Sequence, residues 1–485
     1  MPRTLLLLYC ITIAMLPASA QDAHYWSNNY GPGVLLTPGS VIASNRDSGV
    51  LFYNPALLSL SNKNRIAIST ISANIYQLDA TKIKNGAGTG RDLHNNSVRI
   101  VPQMLSGSIS LGKKAPVVIA YALINSPGFR FQASQRRDDK INVLNDVYSP
   151  GDEYFVGDYV LENRVSETSA LLSTGFKLTP RLSAGISVEG QIRQQHYNVI
   201  SNTRALANKD IDSLPQTLPL VSTSAYYLAT YIHAGVRFKA GLAYDAGRHH
   251  LGWTVSSPLL HVWGTGTIVA DYTVNNMYLD VLKDFYSYLA NSRQESLKTN
   301  FKMPLSTAIG YAYDFRRGQL YVAAEYFHKV KEYNVITPRS DAFIRPDTGN
   351  NSTLTRDFVR LHDARKAILN VAVGVSYNIR PSVTGYCSVR TDISYADKSL
   401  FQYQSGYEPY TAYWNLVHWT LGANFKQKKF NFRTGFLCSY GVTHHFPQDV
   451  NFDHPSEDNI LQGFLRDVRA RRFSVGFMLA YIHNL

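Results

Sequence analysis

The sequence predicts an all-β fold: a transmembrane antiparallel β-barrel of about fourteen strands with its N-terminal segment as a plug, or hatch, in the lumen. Three observations predict the barrel. A secretory leader opens the chain, ten-residue segments of alternating polarity fill the rest, and short connectors alternate strictly with long ones.

The leader begins Met1-Pro2-Arg3, runs apolar from Leu5 to Leu16 and ends in Ala18-Ser19-Ala20 before Gln21. A charged start, an apolar run too short to span a bilayer and an A-x-A signal predict a signal peptide over 1–20. Cys10 lies inside that apolar run, so no lipid anchor is expected. No later stretch has the roughly 18 consecutive apolar residues of a membrane helix. Aromatic residues make up 12% of the chain and include 32 Tyr, an excess that suits interfacial girdles on a barrel. The net charge of +13 comes without a basic cluster interleaved with aromatics. It therefore points to anionic lipid headgroups and not to nucleic acid.

Strands are expected near 64–78, 98–112, 116–133, 164–179, 182–200, 228–246, 249–273, 302–314, 319–335, 366–379, 382–396, 413–426, 430–444 and 470–484. In 182–200, Leu182, Ala184, Ile186, Val188 and Ile192 share one face; Ser183, Ser187, Glu189, Gln191, Arg193 and Gln195 share the other. A period of two sends one set to lipid and the other to a polar lumen. Ile232, Val236, Phe238 and Leu242 oppose His233, Arg237 and Lys239 in the same way, as Val383, Val389 and Ile393 oppose Thr384, Ser388, Arg390 and Asp392. A half-solvated sandwich sheet would alternate too, and the connectors discriminate. Thr179-Pro180-Arg181, Asp245 to Arg248, Phe315 to Gly318 and Arg380-Pro381 are tight, whereas 79–97, 134–163, 201–227, 274–301, 336–365, 397–412 and 445–469 are long. Tight periplasmic turns and large extracellular loops are the bacterial pattern, and an even strand number lets the sheet close in lipid. Cys387 and Cys438 fall two strands apart, roughly 9 to 10 Å at the usual strand spacing, too far for a disulfide.

The stretch Gly39 to Leu60, GSVIASNRDSGVLFYNPALLSL, has too little regular pattern for a strand or helix of its own, and Asn54-Pro55 marks a turn. Its Phe52-Tyr53-Asn54-Pro55-Ala56, behind Ser44-Asn45-Arg46-Asp47-Ser48, resembles the hatch of the FadL-type outer-membrane transporters of long-chain fatty acids and hydrocarbons. Leu57 stands where that family has Gly. Further passages are similar to the family in order: Val101-Pro102 with Asn125-Ser126-Pro127-Gly128, Phe176 to Gly185, Phe238 to Ser257, and Met303 to Tyr313. The last strand, with Phe473, Val475, Phe477, Leu479 and Tyr481 on one face, resembles the signal that outer-membrane assembly machinery reads.

The resemblance implies 21–63 as hatch, 64–485 as barrel, location in a bacterial outer membrane, and passive uptake of a hydrophobic small molecule. The ligand would leave sideways through a gap made by a kinked third strand. Phe52, Tyr53, Asn54, Pro55 and Ala56 are the candidate hatch contacts, and Pro127 and Gly128 the candidate exit. Those two residues also suit a strand that simply ends at the outer rim. An alternative role for such plugged barrels is a scaffold or accessory subunit in an envelope protein-export or assembly complex.

Between Asn275 and Asn300, Tyr278, Leu279, Val281, Leu282, Phe285, Tyr286 and Leu289 recur at helical spacing. A surface helix is expected there, its Leu279, Leu282, Phe285 and Leu289 lining a greasy groove or packing on the rim. Leu206, Ile211, Leu214 and Leu218 are candidates for an opposing wall. Glu189, Arg193, Arg237, Lys239, Glu325, Arg390 and Asp392 would form ion pairs on the inner wall or seat a carboxylate head group. His249-His250 and His444-His445 point to opposite faces of a strand, so neither pair chelates, and no metal or cofactor is expected. No phosphate loop, G-x-S-x-G elbow or HExxH motif occurs, which argues against an enzyme.

Overall fold

The structure, a computed structural model, describes residues 23–26, 40–44, 50–60, 67–111, 117–126, 128–208, 219–279, 283–340, 344–345, 358–401, 406–409, 412–427 and 430–484. The leader 1–20, most of 21–49, and Pro127, Ile211, Leu214, Leu218 and Leu282 lie outside the described residues.

The strands in chain order are β1 (Ala67–Ile83), β2 (Leu93–Leu111), β3 (Val117–Ser126), β4 (Arg130–Ile141), β5 (Glu153–Lys177), β6 (Leu182–Leu206) and β7 (Leu220–Ala246). There follow β8 (His249–Ser256), β9 (Leu260–Leu279), β10 (Asp284–Lys298), β11 (Ser306–Phe315), β12 (Gly318–Phe327), β13 (Val330–Ile336), β14 (Ile344–Arg345) and β15 (Leu361–Arg365). The last five are β16 (Ile368–Arg380), β17 (Val383–Asp392), β18 (Asn415–Lys426), β19 (Phe430–Pro447) and β20 (Asp467–Asn484).

Around the end with short turns the wall runs β1, β2, β3, β5, β6, β7, β8, β11, β12, β16, β17, β18, β19, β20. It closes where β20 pairs with β1 from Ile68↔Asn484 to Ile83↔Ala470, giving a closed barrel of 14 antiparallel strands. Closure leaves no edge whose donors and acceptors would go unpaired in lipid.

The two-faced pattern is realised as expected. Ser183, Ser187, Gln191, Arg193 and Gln195 of β6 are buried inside, while Ile186, Val188 and Ile192 are exposed outside. Thr384, Ser388, Arg390 and Asp392 of β17 face inward against exposed Val389. Ile109, Tyr121, Leu172, Phe238, Trp253, Ile309, Leu421 and Phe436 continue the outer apolar belt around the wall. An exposed apolar surface of that extent is what a lipid-facing wall presents. Cys387 on β17 and Cys438 on β19 are free thiols with β18 between them.

Three expected strands are each two in the structure. The third breaks between Ser126 and Arg130, the seventh between Ser256 and Leu260, and the ninth between Phe327 and Val330. At the second of these, Pro258 has no amide to give the ladder, and the chain leaves β11 for the upper half of β7.

The helix expected between 275 and 300 is instead a β-hairpin: β10 pairs with β9 from Asp284↔Leu279 to Lys298↔Thr265. Towards its tip the pairs Phe285↔Tyr278 and Tyr288↔Val274 bring together aromatic and β-branched residues, which favour strands. The apolar spacing looked helical because it straddles the hairpin turn. Asn276 and Lys283 carry the left-handed backbone, with φ of 51° and 54°.

Candidate lumen site and the broken strand

Inside the short-turn end lie a single helical turn, Val50–Tyr53, and a 3-10 segment, Pro55–Leu60. Their seat is built from glycines that point inward. Gly175 pairs with Gly185, and Gly185 with Gly241, so three adjacent strands lack a side chain at one level. A Cβ on Gly185 would stand 2.4 Å from the carbonyl carbon of Pro55, and one on Gly241 would stand 2.2 Å from Asn54 Oδ1. Gly252 and Gly310, paired across β8 and β11, receive Ile42 in the same way. Only a wall without Cβ atoms admits backbone so closely.

Asn54, fully buried, locks the turn: its Nδ2 donates to the carbonyls of Ile42 (2.8 Å) and Leu242 (3.1 Å), and its Oδ1 accepts from the Ala56 amide (3.1 Å). Ser173 and Ser187 both donate to the Leu51 carbonyl. Lys239 donates to the Phe52 carbonyl and lies 4.5 Å from the Phe52 ring centroid. On the other side Val50, Leu51, Ala56, Leu57 and Leu58 pack against Met104, Val118, Ala120, Ala122, Ile124 and Leu171, so the segment leans on β2, β3 and β5. Fully burying a leucine side chain is worth about 1.5–3 kcal/mol, which makes Leu51, Leu57 and Leu58 its principal anchors.

Ala23–Trp26 also enters the lumen. The Trp26 amide and indole donate to Asp392 (3.0 Å) and Glu325 (2.7 Å), and Tyr25 stacks on Phe327 at 4.2 Å. Above it the lumen is filled by β13 and β15, where Asp363 accepts from Arg365 (2.9 Å) and Tyr333 (2.7 Å).

Between these two N-terminal pieces and the wall is a cavity of about 80 Å³. Phe52, Tyr53, Tyr25 and Trp26 form its aromatic side; Glu167, Glu189, Arg237, Lys239, Glu325 and Arg390 supply charge; Ser126, the last residue of β3, closes one corner. The charged residues singled out from sequence thus converge largely on one place. The exceptions are Arg193, which is ion-paired to Glu167 and rests 4.1 Å from the Phe301 ring centroid, and Asp392, which accepts from the Trp26 amide and from Asn370.

Ser126 stands at the edge of a discontinuity. β3 and β4 both continue along β5, from Ser126↔Glu167 to Arg130↔Arg164, with the Val165 amide donating to Phe129 between them. The break is therefore inside a wall strand and not at its outer end. On the other side, the β2 ladder stops at Met104↔Ile124. Beyond it, side chains span the seam: Arg99 donates to the Gly128 carbonyl, Asn95 donates to the Arg130 carbonyl (3.1 Å) and accepts from the Gln132 amide (3.0 Å), and Gln135 donates to the Asp92 carbonyl (3.0 Å). Asp79 holds Arg99 at 2.6 Å and Arg472 at 3.1 Å.

The sequence-predicted site residues do not all meet. Phe52 and Tyr53 line the cavity, and Asn54, Pro55 and Ala56 form the seat beneath it. Gly128 is buried in the seam. Leu279, Phe285 and Leu289 sit on the β9–β10 hairpin, where Phe285 packs on Tyr148 (4.9 Å) and Tyr278 (5.5 Å). Asn275 of that hairpin is paired with Ser222, whereas Asn54 meets Gly241. Along β7 these levels are roughly 60 Å apart at the usual strand rise, so hairpin and cavity cannot form one pocket. Missed from the sequence were the glycine seat, Asn95 and Arg99. The signal available for the seat was inward-parity glycine in each of β5, β6 and β7, Gly175, Gly185 and Gly241, though Gly157 of β5 and Gly235 of β7 share that parity and only register separates them.

No family model and no curated protein sequence matches the chain. Its fold does match solved structures. The Pseudomonas putida toluene transporter TodX aligns with TM-score 0.58 at 14% identity, over 96% of this chain and 100% of its own. A Pseudomonas aeruginosa FadL homologue gives 0.57 at 13%, over 95% and 100%. The Ralstonia pickettii toluene transporter TbuX gives 0.52 at 12%, over 94% and 98%. The closed 14-stranded wall and its near end-to-end overlap with these proteins give the chain the fold of the FadL-type outer-membrane channels.

Proposed function

We propose that the protein is a passive channel for hydrophobic small molecules in a bacterial outer membrane, with 21–63 acting as its hatch and the seam beside β3 as a lateral exit. The observation that carries this reading is the cavity that touches both Phe52 and Tyr53 of the N-terminal segment and Ser126 at the broken strand. A ligand there has protein on one side and, across the side-chain-bridged seam, the lipid-facing wall on the other. Aromatic rings suit an apolar body, and the nearby Arg237, Lys239 and Arg390 suit a carboxylate or other polar head. The fold of the toluene transporters supports the reading.

Uptake of a fluorescent long-chain fatty acid and of toluene into proteoliposomes tests it. Ser126→Trp, which fills the corner between cavity and seam, is expected to cut uptake at least tenfold. A barrel that carries neither compound, or a Ser126→Trp protein as active as the parent, would overturn the proposal.

A further inference from the structure

The outer wall carries two kinds of charged surface above the apolar belt. On β4–β6 and β10 the outward arginines mostly have a carboxylate partner: Arg136 with Asp138 (2.8 Å) and Asp158 (3.0 Å), Arg204 with Asp158 (3.2 Å), Arg164 with Glu162, and Arg293 with Glu295 (2.7 Å), while Arg130 donates to the Gln132 side chain instead. On β1 and β20 the balance is different. Arg472 turns inward to Asp79, so Arg469 and Arg471, each an even number of residues from the outward Phe473, point outward, and both are exposed.

Lys82 pairs across the ladder with Arg471 on one side and His94 on the other, and the Lys84 amide donates to the Arg469 carbonyl at 2.8 Å. The four cations therefore occupy two adjacent rows, about 5 Å apart across strands and about 7 Å along them. Two carboxylates reach this face. Asp92 is held by Lys82 at 2.5 Å and Asp467 lies 3.4 Å from His445, while Lys84, Arg469 and Arg471 make no ion pair among the described residues.

The level of the patch says what covers it. Tyr440 and Phe473, paired across β19–β20, are exposed on the outer wall, and Arg471 is the next outward position towards the long loops. An outward aromatic row marks the boundary of the hydrocarbon in a membrane barrel, and the row above it lies among headgroups. Guanidinium and ammonium groups fixed at that depth match phosphate oxygens in charge and geometry.

We propose that Lys82, Lys84, Arg469 and Arg471 form a site for the net-anionic phosphate headgroup of an outer-leaflet lipid, as distinct from a zwitterionic one, seated on the outside of the barrel at the β1–β20 closure. The site rests on the membrane-spanning reading but not on what the lumen carries, so its failure would leave the channel proposal standing.

Native mass spectrometry of the detergent-solubilised full chain tests it, with diphosphorylated lipid A, phosphatidylcholine and inorganic phosphate as probes. The parent is expected to retain lipid A, and the variant Lys82→Gln/Lys84→Gln/Arg469→Gln/Arg471→Gln to bind it at least tenfold more weakly. Arg136→Gln/Arg204→Gln, on the charge-balanced face, is expected to bind as the parent does. Equal loss in both variants, equal retention of phosphatidylcholine, or displacement of lipid A by millimolar inorganic phosphate would each overturn the proposal. Heat-modifiable gel mobility reports whether the fourfold variant folds. Should it not, Arg471→Gln alone carries the test, with a threefold weakening expected and no change as the refuting result.

Discussion

A single methyl group on the inner wall should dislodge the N-terminal segment. Gly185→Ala places a Cβ 2.4 Å from the Pro55 carbonyl carbon, 2.5 Å from the Ala56 nitrogen and 2.6 Å from the Pro55 oxygen. All three are backbone atoms of a turn fixed by Asn54, so no side chain can rotate away. The 3-10 segment must retreat by about 1 Å to restore ordinary contact, and overpacking of this kind costs about 1–3 kcal/mol. That cost is a shift of roughly 5- to 150-fold in the balance between seated and displaced segment.

Gly190 provides the control on the same strand: a Cβ there meets nothing within 4 Å. The assay is maleimide labelling of Leu57→Cys in a Cys387→Ser/Cys438→Ser background, since Leu57 is only 1% exposed when seated. Gly185→Ala should raise the labelling rate by the factor above, and Gly190→Ala should leave it unchanged. Equal rates in the two variants would show that the segment does not rest on the glycine row, and the lumen packing described above would be wrong.

Two further outcomes follow from the seam and the loops. Arg99→Leu removes the cation between Asp79 and the Gly128 carbonyl; a hydrogen bond to a charged group is worth about 1.5–3 kcal/mol. Amide exchange at Gln132 should therefore speed up by roughly 10- to 150-fold while β6–β7 stays protected, and unchanged exchange at Gln132 would refute a seam held by side chains. At the long-loop end, burial alone would raise the Asp453 carboxyl, but the Thr89 hydroxyl and amide and the Arg466 and Arg91 guanidinia outweigh it and hold the pKa below the ordinary aspartate value. A depressed folded pKa means that the contact between loops 84–92 and 448–466 is at full strength above about pH 4 and is lost as pH falls through the folded value. Exchange protection at the Thr89 amide should fall on acidification in the parent but be low at all pH values in Asp453→Asn, and a flat profile in the parent would contradict the assignment.

The parts of the fold legible in the sequence are those with a local period. Leu182 to Gln195 announces its two faces within fourteen residues because one face meets lipid and the other does not. Connector lengths such as Thr179-Pro180-Arg181 are likewise local and fix the up-and-down order. What escaped depends on register between distant segments. Gly175, Gly185 and Gly241 become a seat only when three strands align them, and Arg99 reaches the Gly128 carbonyl only because the β2 ladder ends at Met104. Local reading also misassigned Tyr278 to Leu289, since a hairpin folded between 279 and 284 repeats apolar residues at intervals that a helix would also give.

The seam has a consequence for how such a wall can be tuned. A backbone ladder is nearly blind to side-chain identity, so its strength can hardly be altered by exchanging one residue for another. Where Asn95, Arg99 and Gln135 take over that task, tightness becomes a heritable, residue-by-residue trait. Related proteins could loosen or fasten this one stretch of wall through single codon changes while every other strand keeps its alignment.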